Sequence, residues 1–277
     1  MKMHFGSLAA VCLFTGIGIA GSFTASAQKT PDLAPPNILL IQQEMLKPGM
    51  SGIPHRKTES AFVQAMQNAK SPDHYFAMDS MSGPSRALFL VPFDSFADME
   101  KSFARLTGDT TLASEYDSAQ QADGKLLKSF ASVVFVYQPD MSVSPNIDIS
   151  QMRYMEITVI QIKPGHAAEW RELSKLHNQV YGNLPNEHFA IWEEWYGNDG
   201  GEFIVTSPMK SLAEVDAHRV AAHQAWTAVS ADQKKKMADL EASAFESIHT
   251  NLYAFDPKMS YVSDRWKTAN PDFWGKQ

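Results

Sequence analysis

The feature of this 277-residue chain that most constrains its fold is an internal repeat. A Lys-Pro-Gly turn at residues 47–49 recurs at residues 163–165, which is 116 positions later (163 − 47). Both copies close on a matching phrase, an aromatic residue followed by a proline and Met-Ser, at residues 137–142 and 255–260. A repeat on this scale indicates one structural unit used twice. It says more about architecture than about chemistry.

The N-terminus is typical of an export signal. Lys2 and His4 precede an apolar run at residues 8–19, and the small residues Ala-Ser-Ala follow at 25–27. The run is shorter than the roughly 20 residues that a membrane-spanning helix needs. We therefore predict a signal peptide at 1–27, a proline-containing linker at 28–36, a periplasmic or secreted location, and no membrane association after cleavage.

Two bulk properties narrow the function. Cys12, the only cysteine, lies within the predicted signal, so the mature chain could form no disulfide and use no cysteine nucleophile or thiolate ligand. The formal net charge of −7 argues against nucleic acid or anionic lipid as a partner.

Both copies show the same order of local patterns. A strand precedes each Lys-Pro-Gly turn and a helix follows it; two strands with a Gly-containing connection come next, then a Ser-capped helix, a further helix and a final strand. This order, β-α-β-β-α-β with an extra helix, is that of the ferredoxin-like fold, an α+β class. The predicted units span 37–145 and 151–262, and an aromatic C-terminal tail spans 263–277.

A ferredoxin-like unit leaves one sheet face bare, so the two units are expected to pack sheet to sheet. With its Lys-Pro-Gly turns, Phe-rich strands and Ser-capped helices, the chain resembles the dimeric α/β-barrel superfamily, and in particular its NIPSNAP-like and antibiotic-biosynthesis-monooxygenase-like members. The resemblance covers about residues 37–261. It implies two tandem repeats that form an intramolecular barrel, in a superfamily that hosts many unrelated functions.

Polar side chains on the first strand of each unit are candidates for the site. Gln42 and Glu44 share one strand face, and Tyr154, Glu156 and Thr158 share the equivalent one. The opposite faces are apolar and are expected to pack on helices, which would turn the polar faces into the space between the sheets. A carboxylate there would be partly desolvated and suited to acid or base chemistry. The alternative is a solvated or ion-paired glutamate.

The second unit also carries an unusual aromatic strand at residues 189–196. Alternation places Trp192 and Glu194 on one face, where they could hold a planar ligand; the alternative, which strand composition favours, is that the indole fills the core. On the helix predicted before this strand, His177 lies in an apolar stripe and is either a base or a hydrogen-bonded core residue. Glu156 and His177 are the catalytic candidates; Gln42, Glu44, Tyr154, Thr158, Trp192 and Glu194 are the ligand-binding candidates.

No metal site or cofactor is predicted. His218 and His223 are five positions apart and so lie on different sides of a helix, and the histidines at 55, 74, 166 and 188 show no ligand spacing. The stretch at residues 197–200 is similar to the glycine-aspartate motif of dye-decolorising peroxidases, but one residue of spacing is missing and a hairpin turn explains it, so no haem site is carried over. Phosphate loops and nucleophile elbows are absent.

Three functions stay open. The first is the binding of a small, mostly apolar or aromatic molecule in the inter-sheet cavity. The second, implied by the resemblance, is a cofactor-independent monooxygenase in which Trp192 holds the substrate and Glu156 or His177 moves its proton. The third is a structural or assembly module without a ligand. Further association of chains is open in all three.

Overall fold

The computed structural model describes residues 33–275. The predicted signal peptide, Cys12 and most of the predicted linker lie outside the described residues. Within 33–275, no helix combines the length and the apolar character that crossing a membrane requires.

Eight strands and six of the eight helices in the described part of the chain follow one another in the same order in its two halves. The first half contains β1 (Ile38–Leu46), α1 (Ile53–Asn68), β2 (Tyr75–Ser80), β3 (Arg86–Phe93), α2 (Phe96–Gly108), α3 (Thr110–Asp123) and β4 (Leu127–Tyr137). The second half contains β5 (Tyr154–Ile162), α4 (Ala167–Tyr181), β6 (Ala190–Tyr196), β7 (Glu202–Met209), α5 (Ala213–Ala228), α6 (Ala231–Ala244) and β8 (Phe245–Tyr261). A short 3-10 helix, Ile149–Gln151, joins the halves, and α7 (Asp264–Ala269) and α8 (Pro271–Trp274) end the chain.

The strands form one closed antiparallel barrel in the order β1-β3-β2-β8-β5-β7-β6-β4. Each half contributes four adjacent strands, and the seams are the pairs β2–β8 and β4–β6. Closure gives every strand two partners, so no sheet edge is left to aggregate. The α+β class and the barrel architecture predicted from the sequence are confirmed.

The two Lys-Pro-Gly turns have the same conformation. Gly49 and Gly165 have φ of 79° and 87°, a region that side chains with a Cβ rarely adopt. The predicted serine caps also form in two cases, because the side chain of Ser95 accepts a hydrogen bond from the Asp98 amide and that of Ser230 from the Gln233 amide.

Both closing strands are long: β4 spans 11 residues and β8 spans 17. The physical reason is long-range pairing. β8 pairs with β5 of its own half and, across one seam of the barrel, with β2. Local propensity carries no information about those partners.

The barrel interior is filled with apolar side chains. Leu39 and Ile41 of β1 and Met155 and Ile157 of β5 belong to a single buried cluster that also includes Trp192 and receives side chains from all eight strands. The prediction that these apolar faces pack on helices, and that the polar faces look between the sheets, is therefore wrong. A closed barrel encloses its interior on all sides, so the driest environment is there rather than under the helices.

Candidate functional site

A cavity lies between the sheet and the helices of the second half, and we call it the C-terminal cavity. Its volume is about 520 Å³, within the range of small-molecule sites. The outer faces of β5 and β7 form its floor, while α4 and α5 form its walls. Trp170, Leu173 and Ser174 are the buried residues of α4, and Trp170 and Ser174 belong to the cavity lining.

Three sequence-predicted site residues line this cavity together: Glu156 and Thr158 of β5 and His177 of α4. Burial lowers the pKa of His177, which keeps its imidazole neutral near pH 7 and able to accept a proton. The Thr158 hydroxyl lies 2.8 Å from that of Thr250 on β8.

Helix α4 also presents unpaired polar atoms at this cavity. The Trp170 indole nitrogen, the Ser174 hydroxyl and the Asn178 side-chain oxygen are buried and have no hydrogen-bond partner in the described part of the chain. The three residues are four positions apart in turn, so they lie on one face of the helix, and all three line the cavity. Buried polar atoms are nearly always paired in native proteins. The three atoms could therefore form hydrogen bonds with a molecule in the cavity.

A carboxylate and an imidazole meet at the wall of the same cavity. Glu187, from the loop before β6, lies 2.9 Å from Nδ1 of His218 on α5. Burial raises the pKa of Glu187, and His218 and His188 oppose that rise. Sequence reasoning missed this pair because its members come from separate elements, 31 positions apart (218 − 187), and show no motif spacing.

The other predicted ligand-binding residues of the second half lie elsewhere. Trp192 is inside the barrel, where its indole nitrogen donates to the Thr206 hydroxyl at 3.2 Å. Glu194 is buried, and its carboxylate accepts from the Asn198 amide. Tyr154, on the outer face of β5, is not among the residues that line the C-terminal cavity. The predicted site residues therefore do not converge on one cavity.

The smaller, N-terminal cavity occupies the corresponding place in the first half. It has a volume of about 310 Å³ and is lined by Gln42 and Glu44 of β1 with residues of α1, α2 and α3. Most of its wall is apolar, from Phe62, Met66 and Phe89 among others. Gln42 and Glu44 thus face helices, in agreement with the corrected orientation of the strand faces.

Beside this cavity lies a fully buried polar group that we call the Glu44 cluster: Glu44, His55, Glu59 and Asp123. Nε2 of His55 lies 2.8 Å from a Glu44 oxygen, 3.6 Å from an Asp123 oxygen and 3.8 Å from a Glu59 oxygen. The Thr58 hydroxyl donates to the same Asp123 oxygen at 2.6 Å.

The pKa values in the Glu44 cluster move in directions that follow from burial and like charge. Burial is the largest cause that raises the pKa of Glu44, and it raises the pKa of Glu59 further, together with the charges of Glu44 and Asp123. The pKa of His55 is also raised, because the carboxylates of Glu44 and Asp123 outweigh the opposing effect of burial.

Comparison with known proteins gives a match in fold. No protein-family model matches the chain, and no curated protein sequence does. An anthrone oxidase-like protein superposes with a TM-score of 0.52 at 13% identity, over 81% of this chain and 93% of its own. A putative monooxygenase from Fusobacterium nucleatum gives 0.50 at 11% identity, over 79% and 91%. A mutant chlorite dismutase from Candidatus Nitrospira defluvii gives 0.49 at 14%, over 86% and 97%.

The first two similarities cover most of this chain at low identity, so they concern architecture and not activity. The chain has the fold of the dimeric α/β-barrel proteins, built from a single polypeptide.

Proposed function

We propose that the C-terminal cavity binds a small, mostly apolar molecule that carries a polar edge. The observation that carries the proposal is the row of unpaired atoms on α4, at Trp170, Ser174 and Asn178, in a cavity of about 520 Å³. The predicted site in the inter-sheet space is replaced by this one, because apolar side chains fill the barrel interior.

The row of atoms defines the chemistry of the ligand. The Trp170 indole can only donate a hydrogen bond, the Ser174 hydroxyl can donate or accept, and the Asn178 oxygen can only accept. A carbonyl placed at the first two and a hydroxyl or amine placed at the third would satisfy all of them. Aromatic or aliphatic carbon would fill the remaining space against Ile191 and Phe245. We expect an oxygenated aromatic compound.

Two finer features of the sequence belong to the same proposal. We propose that each half is a ferredoxin-like repeat. The proposal is supported by the corresponding strand orders of the two halves, β4-β1-β3-β2 and β8-β5-β7-β6. We further propose that the protein is exported after removal of residues 1–27, on the sequence pattern alone. The resemblance to NIPSNAP-like and antibiotic-biosynthesis-monooxygenase-like proteins stays an inference from sequence motifs.

Filling the cavity tests ligand binding. Ala222 of α5 lines the cavity, whereas Val220, two positions earlier, is 61% exposed. Native mass spectrometry of the purified wild type is expected to reveal a retained small molecule. If that molecule is lost during purification, anthrone, a tricyclic aromatic ketone, is expected to quench tryptophan fluorescence saturably. Ala222→Phe should abolish either signal and Val220→Phe should preserve it. No retained molecule and no saturable quenching, or equal signals in the two variants, would refute the proposal.

A second candidate function is cofactor-independent oxygenation in the same cavity. It is favoured by the presence of Glu156 and His177 in the lining of one cavity, because the burial that lowers the pKa of His177 keeps this base neutral near pH 7. It is also in line with the anthrone oxidase-like and monooxygenase descriptions of the two similar structures. On anthrone, the base would take a proton from the methylene carbon. The resulting carbanion would reduce O₂ and form a carbon–oxygen bond, and loss of water would give anthraquinone: C₁₄H₁₀O + O₂ → C₁₄H₈O₂ + H₂O.

Oxygen uptake with anthrone separates this enzyme from a binding protein. If His177 is the base, His177→Gln should lower the turnover rate by ~100-fold or more and change the dissociation constant of anthrone only slightly. Glu156→Gln tests the carboxylate in the same way. Binding of anthrone without oxygen uptake by the wild type would leave the binding function and exclude oxygenation of this substrate.

A further inference from the structure

The Glu44 cluster is a second site, in the opposite half of the barrel from the proposed ligand cavity. We propose that Glu44, His55, Glu59 and Asp123 bind a divalent transition-metal ion. The four donors come from β1, α1 and α3, and their ligand atoms all lie within 4.8 Å of one another. The proposal is independent of what the C-terminal cavity binds.

The charge balance of the cluster calls for a cation. Three carboxylates that are each at least 94% buried surround one imidazole that is fully buried. For Glu59, the strongest electrostatic influences among the described residues are other carboxylates, those of Glu44, Asp123 and Asp79. The adjacent Arg56 is committed to Asp256 and Asp79. Uncompensated buried charge is costly, and a divalent ion would offset most of it.

Unpaired buried atoms give an independent reason to expect an occupant. One carboxylate oxygen of Glu59, a residue 3% exposed, has no hydrogen-bond partner in the described part of the chain. The hydroxyl of Tyr75, a residue 8% exposed, is also unpaired in the described part of the chain. Tyr75 lines the N-terminal cavity together with Glu44 and Glu59, and burial, with the charges of these carboxylates, raises its pKa. A metal ion would be a partner for the Glu59 oxygen, and a water bound to that ion could hydrogen-bond to the Tyr75 hydroxyl.

The geometry suits a metal at the centre of the donors. Around an ion with bonds of about 2.1 Å, neighbouring ligand atoms are roughly 3.0–3.4 Å apart. Nε2 of His55 is 2.8, 3.6 and 3.8 Å from the oxygens of Glu44, Asp123 and Glu59, so small adjustments reach that spacing. One imidazole with three carboxylates favours Mn²⁺, Fe²⁺ or Zn²⁺ over Ca²⁺ and Mg²⁺, which take oxygen ligands alone.

The surroundings of the cluster indicate a site that a small ligand can reach. The Thr58 hydroxyl holds Asp123 in place, the kind of support that metal-bound carboxylates commonly have. Glu44, Glu59 and Asp123 line the N-terminal cavity, whereas His55 lies behind them. An ion here would face the 310 Å³ cavity with its unoccupied coordination positions, where an oxygen atom of a ligand could bind.

Metal titration of the full chain, purified without a polyhistidine tag and treated with a chelator, tests the proposal. We expect one Zn²⁺ or Mn²⁺ per chain by calorimetry and elemental analysis, with no competition from Ca²⁺. His55→Gln and Glu59→Gln should each weaken binding by ~100-fold or more. His166→Gln is the matched control, because His166 forms a partly exposed pair with Glu169 at 3.2 Å and makes no second ion pair within residues 33–275.

Thermal melting separates loss of the site from loss of the fold. The melting temperature of the wild type should rise with metal concentration, as binding to the native state requires. Glu59→Gln replaces a carboxyl whose ionised form is disfavoured by burial and by neighbouring carboxylates, so its metal-free form should melt at or above the temperature of the metal-free wild type, yet gain nothing from metal. A wild type that binds no Zn²⁺ or Mn²⁺, or a folded Glu59→Gln variant with unchanged affinity, would overturn the proposal.

Discussion

The indole nitrogen of Trp274 donates a hydrogen bond to the backbone carbonyl of Ser150 at 2.8 Å, and this bond fastens the end of the chain to the connection between its halves. Trp274 is completely buried and packs on Phe255 of β8 and on Trp266 of α7. The aromatic tail is therefore part of the barrel core.

Removal of this side chain should destabilise the whole barrel. For Trp274→Ala we expect a loss of about 3–5 kcal/mol in the free energy of unfolding, because a large cavity replaces a buried indole. Urea denaturation measures it. Trp195→Ala is the control; Trp195 is 53% exposed and should cost about 1 kcal/mol or less. Equal costs would show that the tail does not hold the core together.

The pair Trp192–Thr206 tests whether Trp192 belongs to the core. Thr206→Val leaves the indole nitrogen without its acceptor in a buried position, which should cost about 1–3 kcal/mol of stability. Retention of a molecule in the C-terminal cavity should be unchanged, because Trp192 faces the barrel interior. Thr250→Val, at an exposed hydroxyl pair, should change stability by about 0.5 kcal/mol or less. Loss of binding in Thr206→Val would instead connect Trp192 to the ligand.

Glu202 should make stability depend on pH. Burial, with the nearby charge of Glu194, raises the pKa of Glu202 to about 7. Since this carboxyl binds its proton more tightly in the folded state, its contribution is fully present below the unfolded pKa of 4.5 and is lost as the pH rises through 7. Because Glu202 is partly exposed, we expect a loss on the order of 1–2 kcal/mol.

Comparison of Glu202→Gln with the wild type at pH 5 and pH 8 isolates that contribution. The variant should lose less stability over this interval than the wild type does. Glu246→Gln, at an exposed position of β8, should follow the wild type. Parallel pH profiles for Glu202→Gln and the wild type would contradict the raised pKa.

Two arginines of similar exposure should differ in their effect on stability. Arg56 and Arg105 have side chains that are 45% and 43% exposed, but Arg56 pairs with Asp256, which is 4% exposed, and Arg105 pairs with Asp73, which is 17% exposed. Arg56→Met leaves a buried carboxylate unpaired and should cost about 2–3 kcal/mol, whereas Arg105→Met should cost about 1 kcal/mol or less. Similar costs in urea denaturation would show that the burial of the aspartate does not decide the effect.

Much of the architecture could be predicted from the sequence because it rests on local signals. The recurring Lys-Pro-Gly turns need a glycine at positive φ, the serines cap helices within three residues, and alternation marks the strands. Together they gave the element order and the α+β barrel. The cavity residues Glu156, Thr158 and His177 were also found, because each stands out within its own element.

The direction of the strand faces and the composition of the polar sites depended on tertiary structure. Alternation separates the two faces of β1, but only closure of the barrel decides that Ile41 points inward and Glu44 towards α1. His55 and Asp123 are 68 positions apart (123 − 55), and their meeting depends on how α1 and α3 pack on the sheet. Local propensity acts over a few residues, whereas these contacts result from long-range packing. The repeat predicted that two units pack together, but it did not predict which side chains meet.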